Sequence, residues 1–402
     1  MARYRYLEQE LAFIRSMGWS NPRLRRIVKA APLVVVFLVL NARSARSTTC
    51  SFNPTPDPTV DGSPASLRHA IQMANASGQD CLITLTAGKY TLTTKNTNGH
   101  ENAAAQGDLD IADAGHSVTI QGQGAGLSLV NGNGIDRVFD VLSGAKVFFS
   151  NLRIVGGVAR DDGTPGALPG TTAALGGGIL VQGTGQASLN GVALKGNRAL
   201  GANGANGAFG PNGGNGGAGQ AAAGGGIYSS SGSIDLSTST VSGNAASGGS
   251  GGNGGSASTN GGGGGGSGGL GAGGGLYVVS GSVNLSASSV SGNSATAGRG
   301  GNGGPGFFPP GAGGVGGWGG MGAGGGLYIL SGSVKLSAST MSGNSTAGGS
   351  GGGGGSGGMG RAPNGAGGDG DGGGMFVSGG SLTLSASTVS GNSVTGGDGG
   401  GF

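Results

Sequence analysis

"GAGGGLYVVSGSVNLSASSVSGNSA", residues 271–295, recurs with few changes at 222–246, 322–346 and 370–394. Each copy holds a Gly triplet, a short apolar run, a second run in which Val and Leu alternate with polar residues, and a closing Gly-Asn. The triplets end at Gly178, Gly226, Gly275, Gly326 and Gly374, and the Gly-Asn pairs at Asn197, Asn244, Asn293, Asn344 and Asn392. Triplet to Asn is 19 residues in the first copy and 18 in the other four, whereas the triplets recur 48, 49, 51 and 48 residues apart. A fixed unit followed by a variable spacer marks stacked supersecondary units with insertions on one side.

Within the unit the period is two. Leu276 and Val278 alternate with Tyr277 and Val279, and Val283, Leu285 and Ala287 with Asn284, Ser286 and Ser288. Such short alternating runs are strands with one buried face. The matching inward positions are Ile234 and Leu236, Val334 and Leu336, Leu382 and Leu384. So few side chains cannot make a core alone, and stacking copies at the strand spacing of ~4.8 Å builds a continuous one. The expected fold is all-β, a parallel β-helix (solenoid) with one coil per repeat, an N-terminal capping helix and Gly-rich insertion loops. A sheet wound with helices would need 3.6-residue periodicity, and none follows residue 80. An antiparallel sandwich is the alternative, but the single Gly between "LYVVS" and "SVNLS" is too short for a hairpin.

Asn at the end of every unit has a physical reason. Its amide can bond the copies above and below, so Asn197, Asn244, Asn293, Asn344 and Asn392 are expected to form a ladder. The triplets supply positive-φ corners on the other side. From Gly374 to Gly401 is 27 residues, a reasonable single coil, so the other repeats carry about 21–24 extra residues each. These insertions, at about 201–223, 247–271, 297–322 and 347–371, are rich in Gly, Asn, Ala and Ser without apolar periodicity. They are expected to protrude from one flank as flexible or polyglycine-like loops. The chain stops as a sixth coil begins, which reads as a gene fragment or as an open edge covered by something else.

Composition agrees with a repeat protein: 103 of 402 residues are Gly and only 9% are charged. The net charge of +4 is carried by the N-terminus, where nine of the 21 basic residues precede Ser47. From there on 12 basic and 15 acidic residues remain, so the basic balance does not argue for nucleic acid. "NPRLRRIVKA" (21–30) followed by "APLVVVFLVL" (31–40) and "NARSARS" (41–47) reads as an export signal over 1–47, with Met17 an alternative start. Ten apolar residues fall short of the ~20 that span a bilayer, so no membrane span is expected in the mature chain. Cys50 and Cys81 both follow the signal; in an exported chain they pair as a disulfide, the alternative being two buried thiols.

Residues 48–80 read as an N-terminal cap, 81–160 as the first coils and 176–402 as the Gly-rich repeats. In "SPASLRHAIQMANASG" (63–78) Ser63 can cap a helix with Pro64 in its first turn and Leu67, Ala70, Ile71 and Ala74 on one face. "SLRHAIQMANA", "LITLTAGKYTL", "GDLDI", "TIQGQG" and "DRVFDV" together resemble the CSLREA-type N-terminal region of exported bacterial pectin-lyase-fold repeat proteins. Ala65 stands where that motif has Cys, and His69 where it has Glu. The repeats are similar to the GG-apolar and F-x-x-N motifs of polymorphic outer membrane proteins, with Val241, Val290, Met341 and Val389 in the aromatic's place. The resemblance implies a right-handed β-helix that is secreted or held at the cell surface, often adhesive.

Catalysis on this fold needs clustered carboxylates, as an acid/base pair or as Ca²⁺ ligands. From 163 to 402 the acids are Asp235, Asp369, Asp371 and Asp398, with no Glu or His, so no catalytic residue is expected in the repeats. Titratable groups gather in 100–162: His100, Glu101, Asp108, Asp110, Asp113, His116, Asp136, Arg137, Asp140, Asp161 and Asp162. Asp108 and Asp110 flank Leu109 and point the same way, so they are candidate Ca²⁺ ligands; the alternative is carboxylates that cap turns, with Asp136 pairing Arg137. "GGDGDGGG" (367–374) has acids mis-spaced for a Ca²⁺ repeat. Tyr228, Tyr277, Tyr328 and Phe376 should stack as an aromatic stripe that either binds sugar rings or lies under the insertions. Two Ser rows, Ser237, Ser286, Ser337 and Ser385 beside Ser239, Ser288, Ser339 and Ser387, suit multivalent contact or self-association. The expected function is an exported structural or adhesive protein with glycans, surface proteins or itself as partner. The alternatives are a carbohydrate-active enzyme and a glycan-binding module.

Overall fold

The computed structural model describes residues 50–57, 61–307 and 311–401; the signal expected over 1–47 lies outside them. Successive coils pair in parallel, in sheets of nine, eight, seven, six and five strands. The nine-stranded sheet runs from Cys50–Phe52 through Cys81–Thr84, Ser117–Gln121, Lys146–Ser150 and Gln186–Asn190 to Ser381–Ser385. This is a parallel β-helix of the right-handed kind that parallel crossovers adopt. Among the described residues no helix is long and apolar enough to cross a membrane.

Each repeat supplies five short strands rather than the two that alternation marks. In the copy at 271–295 they are Gly271–Ala272, Leu276–Val278, Ser282–Ser286, Ser289–Ser291 and, at its end, Ser294–Thr296. Val283 lies between Ile234 and Val334, and Leu285 between Leu236 and Leu336, all buried. Ala287 differs from its expected inward place. It is exposed at φ 48°, and Thr238, Ala338 and Ala386 repeat that left-handed corner. The corner breaks the alternation and turns the next residue inward, so the row Ser239, Ser288 and Ser339 is buried instead of facing solvent. Its hydroxyls take backbone N–H groups from the preceding coil, as in Ser288 N to Ser339 Oγ at 3.1 Å.

The Asn residues form the ladder. Asn244 donates N–H and Nδ2 to Asn293 Oδ1, both at 3.0 Å, and Asn293 does the same to Asn344 Oδ1 at 3.0 and 2.9 Å. Asn197 at one end and Asn392 at the other complete it. Each Nδ2 also reaches back to a carbonyl, Val241 O in the case of Asn293 at 3.0 Å. Every polar atom of a buried corner is thereby partnered. On the opposite side the first glycine of each triplet takes the left-handed turn, with Gly273 at φ 58°.

The N-terminal edge is covered by helix α1, Leu67–Ala76, which buries Leu67, Ala70, Ile71 and Ala74. It starts three residues later than the sequence suggests. Ser66, not Ser63, accepts the His69 N–H at 3.1 Å, because Ser63 is spent on a preceding turn that takes the Ser66 N–H. Cys50 and Cys81 are joined by a disulfide and sit opposite each other in the first parallel pair.

The insertions follow the polyglycine-like alternative rather than the flexible one. They are not flexible loops but form one hydrogen-bonded plate. Each runs out and back, so that Gly263, Gly266 and Gly269 donate to the carbonyls of Gly255, Gly252 and Gly249 within one insertion. Gly248, Gly251 and Gly254 donate to the next insertion, at Thr296, Arg299 and Asn302. Gly249, Gly252 and Gly255 donate to the previous one, at Gln220, Gly217 and Gly214. Bond direction thus turns by a third with each residue, the three-residue screw of a polyproline II-type segment, here with bonds between neighbouring arms. Third positions that are Asn add a side-chain bond, as in Asn302 N to Asn253 Oδ1 at 2.8 Å. Glycine is required by contact: a Cβ on Gly266 or Gly301 would overlap the carbonyl oxygen of the neighbouring arm.

Candidate functional site

The residues with chemistry lie inside the first coils. Leu109–Ile111 and Phe139–Val141 are neighbouring parallel strands that place Asp110 opposite Asp140. Asp108 and Asp136 precede these strands, and the 93–108 segment folds His100 back over them. Arg68 of α1 holds that segment, donating to the carbonyls of Ala104, Gly107 and Asp108 at 3.1, 2.7 and 2.7 Å. The result is a buried cluster of five carboxylates, Asp108, Asp110, Asp136, Asp140 and Asp161, around the single guanidinium of Arg137, with His100 among them.

Arg137 does not pair with the Asp136 side chain as the "DRVFD" reading has it. Asp136 Oδ1 accepts the Arg137 backbone N–H at 2.8 Å, turning the carboxylate along the chain. The guanidinium instead reaches Asp108 Oδ2 at 3.3 Å, the Asp161 carboxylate, and the Asp161 carbonyl at 2.8 Å. Arg137 Nη1 also faces His100 Nδ1 at 3.2 Å. Burial pushes the His100 pKa down and the Asp140 bond outweighs it, a net upward pull. A guanidinium can only donate, however, so Nδ1 is an acceptor and the ring proton sits on Nε2, 3.3 Å from Asp140 Oδ2.

Each central carboxylate has one oxygen committed and one bare. Asp110 Oδ2 accepts the Ala104 N–H at 2.6 Å and Asp140 Oδ2 accepts Gln182 Nε2 at 2.6 Å, while Asp108 Oδ2 faces Arg137. Oδ1 of Asp108, Asp110 and Asp140 is buried without a partner. Burial drives the Asp108 pKa well above the carboxylate range, and burial with the Asp140 charge raises Asp110 to about 8. Burial also raises Asp136.

These shifts fix a sign. Between the unfolded value of 3.8 and about 8, folded Asp110 keeps a proton that the unfolded chain gives up. Its stabilisation is complete below pH ~4 and is lost as pH rises through 8. In chelator-containing buffer the melting temperature is therefore expected to fall from pH 5 to pH 9 by calorimetry. Asp110→Asn should flatten that slope; a melting temperature that rises over the interval would contradict the assignment.

The other candidates lie apart. Tyr228, Tyr277, Tyr328 and Phe376 do stack, at centroid distances of 5.2, 4.6 and 5.2 Å, with the middle pair 1° from parallel. Their place as a sugar-binding stripe is not available, because each inner ring face is taken by the next ring. Ala223, Ala272 and Ala323 of the returning insertion arms, with Leu270 and Met321, cover them, leaving Tyr277 9% and Tyr328 7% exposed. Glu101 caps backbone N–H groups of Ala103, Ala105 and Gln106, and Asp113 pairs His116 nearer the surface at 3.0 Å. The 367–374 stretch is spent on the plate, where the Asp369 and Asp371 carbonyls accept from Gly322 and Gly324. The Ser237, Ser286 and Ser385 row is exposed on the nine-stranded sheet.

The sequence suggested polyglycine-like insertions on one flank but not the plate they form together or its outer edge. The signal was there: glycine at 201, 204, 207, 210, 213, 216 and 219 is a strict local triplet. The turns of the four insertions lie side by side, joined by Gly210 with Ala257, Ala257 N to Pro305 O and Gly306 N to Ser356 O. This rim exposes Phe209 at 73%, Phe307 at 48% and Met359 at 79%. A shallow cavity of about 250 Å³ lined by Lys95, Asn96, Asp136, Arg160 and Asp161 borders the acidic cluster. Comparison with protein-family models, with curated proteins and with solved structures finds no match to this chain.

Proposed function

We propose that this chain is an exported structural and adhesive protein of the bacterial cell surface, of the group that opens with a CSLREA-type region. Its β-helix is the stalk and its glycine plate the contacting part. The observation that carries the reading is the apolar rim, Phe209, Phe307 and Met359, presented by turns that hydrogen-bond across four insertions. The turns that carry these side chains are already fixed by backbone hydrogen bonds, so contact has to order the side chains alone. Partners would be apolar patches of other surface proteins, with self-association through the same edge. The carboxylates are buried, out of reach of a polysaccharide chain, which disfavours the enzyme reading.

Beads coated with the protein should resist shear on an apolar surface. The triple variant Phe209→Ser/Phe307→Ser/Met359→Ser is expected to lose retention about tenfold or more with unchanged circular dichroism, since each exposed side chain contributes about 1.5–3 kcal/mol when covered. Equal retention of the variant would overturn the adhesive role of the rim, and release of sugars from an acidic polysaccharide would overturn the reading as a whole.

A further inference from the structure

The interior of the first coils gathers many acidic groups around little positive charge. Five buried carboxylates face one guanidinium, and His100 is neutral because Arg137 occupies its Nδ1. The potential ligand groups are gathered in one place. One ligand atom from each of His100, Asp108, Asp110 and Asp140 lies within 4.8 Å of the others, and Oδ1 of all three aspartates has no protein partner. Each of these aspartates is fully buried, so no bulk solvent serves those oxygens. Their second oxygens are fixed by Ala104 N, Gln182 Nε2 and Arg137, the outer contacts that set the aim of ligating carboxylates.

We propose that Asp108, Asp110 and Asp140 hold one divalent cation of the hard, oxygen-preferring class, Ca²⁺, Mg²⁺ or Mn²⁺, as a structural site in the first coils. An all-carboxylate set selects such ions over thiophilic ones. His100 acts as a positioning residue, its Nε2 3.3 Å from Asp140 Oδ2, and Arg137 reaches both the His100 ring and Asp108. The cation ties Leu109–Ile111 to Phe139–Val141, the first two rungs of their sheet, beneath the segment clamped by α1. The cavity lined by Asp136 and Asp161 borders the same cluster from the solvent side.

The test uses the full chain, stripped with chelator at pH 8 and then titrated separately with Ca²⁺, Mg²⁺, Mn²⁺ and Zn²⁺. Elemental analysis after gel filtration and the electron paramagnetic resonance of Mn²⁺ give stoichiometry, and calorimetry gives the melting temperature. Expected are one tightly held ion per chain and a saturable rise of about 5 °C or more for at least one hard cation. Ion affinity should increase from pH 5 to 8, opposite in sign to the stability of the stripped protein, because the ion competes with protons for the same oxygens. Asp140→Asn should abolish retention while Asp371→Asn in the plate leaves it intact. Should Asp140→Asn fail to fold, the wild-type stoichiometry and its pH dependence decide alone. Less than a tenth of an ion per natively folded chain, with no shift for any ion, would overturn the proposal and leave protons as the balancing charge. Retention of Zn²⁺ alone would overturn it too, since that requires His100 as a ligand.

Discussion

Replacing Arg137 by Met is expected to destabilise the protein by about 3–5 kcal/mol, read from urea unfolding at pH 8, because removing one partner of a buried ion pair strands the others. The side chain is fully buried and is the only guanidinium among five carboxylates. Its loss leaves Asp108 and Asp161 without their counter-charge and takes a donor from the Leu175 carbonyl, while the Asp161 carbonyl keeps only the Leu175 N–H. The loss should be smaller at pH 5, where Asp108 and Asp110 carry protons and the repulsion among the carboxylates falls. Arg137→Lys should recover only part of the loss, because an ammonium cannot span the same fork of acceptors. A change below 1 kcal/mol at both pH values would show that the cluster does not depend on this cation.

Asn293→Ala should cost about 3 kcal/mol or more, with Asn392→Ala near 1. The chemistry of the two positions is the same and their surroundings differ. Truncating Asn293 strips the acceptor from the N–H and Nδ2 of Asn244 and the donor from Val241 O, all buried, and each orphaned group costs ~1–3 kcal/mol. Asn392 serves Asn344 in the same way but at the last rung, where the atoms are only part-buried and water can replace it. Hydrogen exchange should localise the effect to the corners at 244 and 293. Equal costs at both positions would mean that the ladder's strength does not come from desolvated polar groups.

Much of the helix was legible because its grammar is local. Val283 and Leu285 alternate within five residues, and Asn293 recurs at a nearly fixed distance from its triplet, so stacking follows from spacing alone. The limit of that reasoning shows at Ala287, where an ordinary apolar residue sits at a left-handed corner and nothing in its identity distinguishes it from an inward one. The acidic cluster lay further from view. Arg137 meets Asp108 and His100 across 29 and 37 residues, separations that only the coil geometry brings together. Asp108 and Asp110 could be named as a pair, but Asp140, Gln182 and the role of Arg68 could not. The plate was missed for the opposite reason. Its bonds are between backbone groups, so the identifying mark was the period of a residue without a side chain, blurred by glycine at second and third positions as well.

The lattice of the plate also limits how this gene can change length. Because N–H direction repeats every third residue, an arm that gains or loses one or two residues puts Gly266 or Gly301 where a donor meets no carbonyl and a side chain meets backbone. A triplet added to an outbound arm needs a triplet on the return arm to face it, so tolerated growth comes in steps of six residues, with single-residue drift confined to the turns. Copies of such a protein in different strains should therefore differ by ladders of paired triplets within the insertions, while the 18-residue unit between Gly triplet and Asn stays constant in length. Length change of that kind would alter how far the plate reaches from the coils without disturbing the helix that carries it.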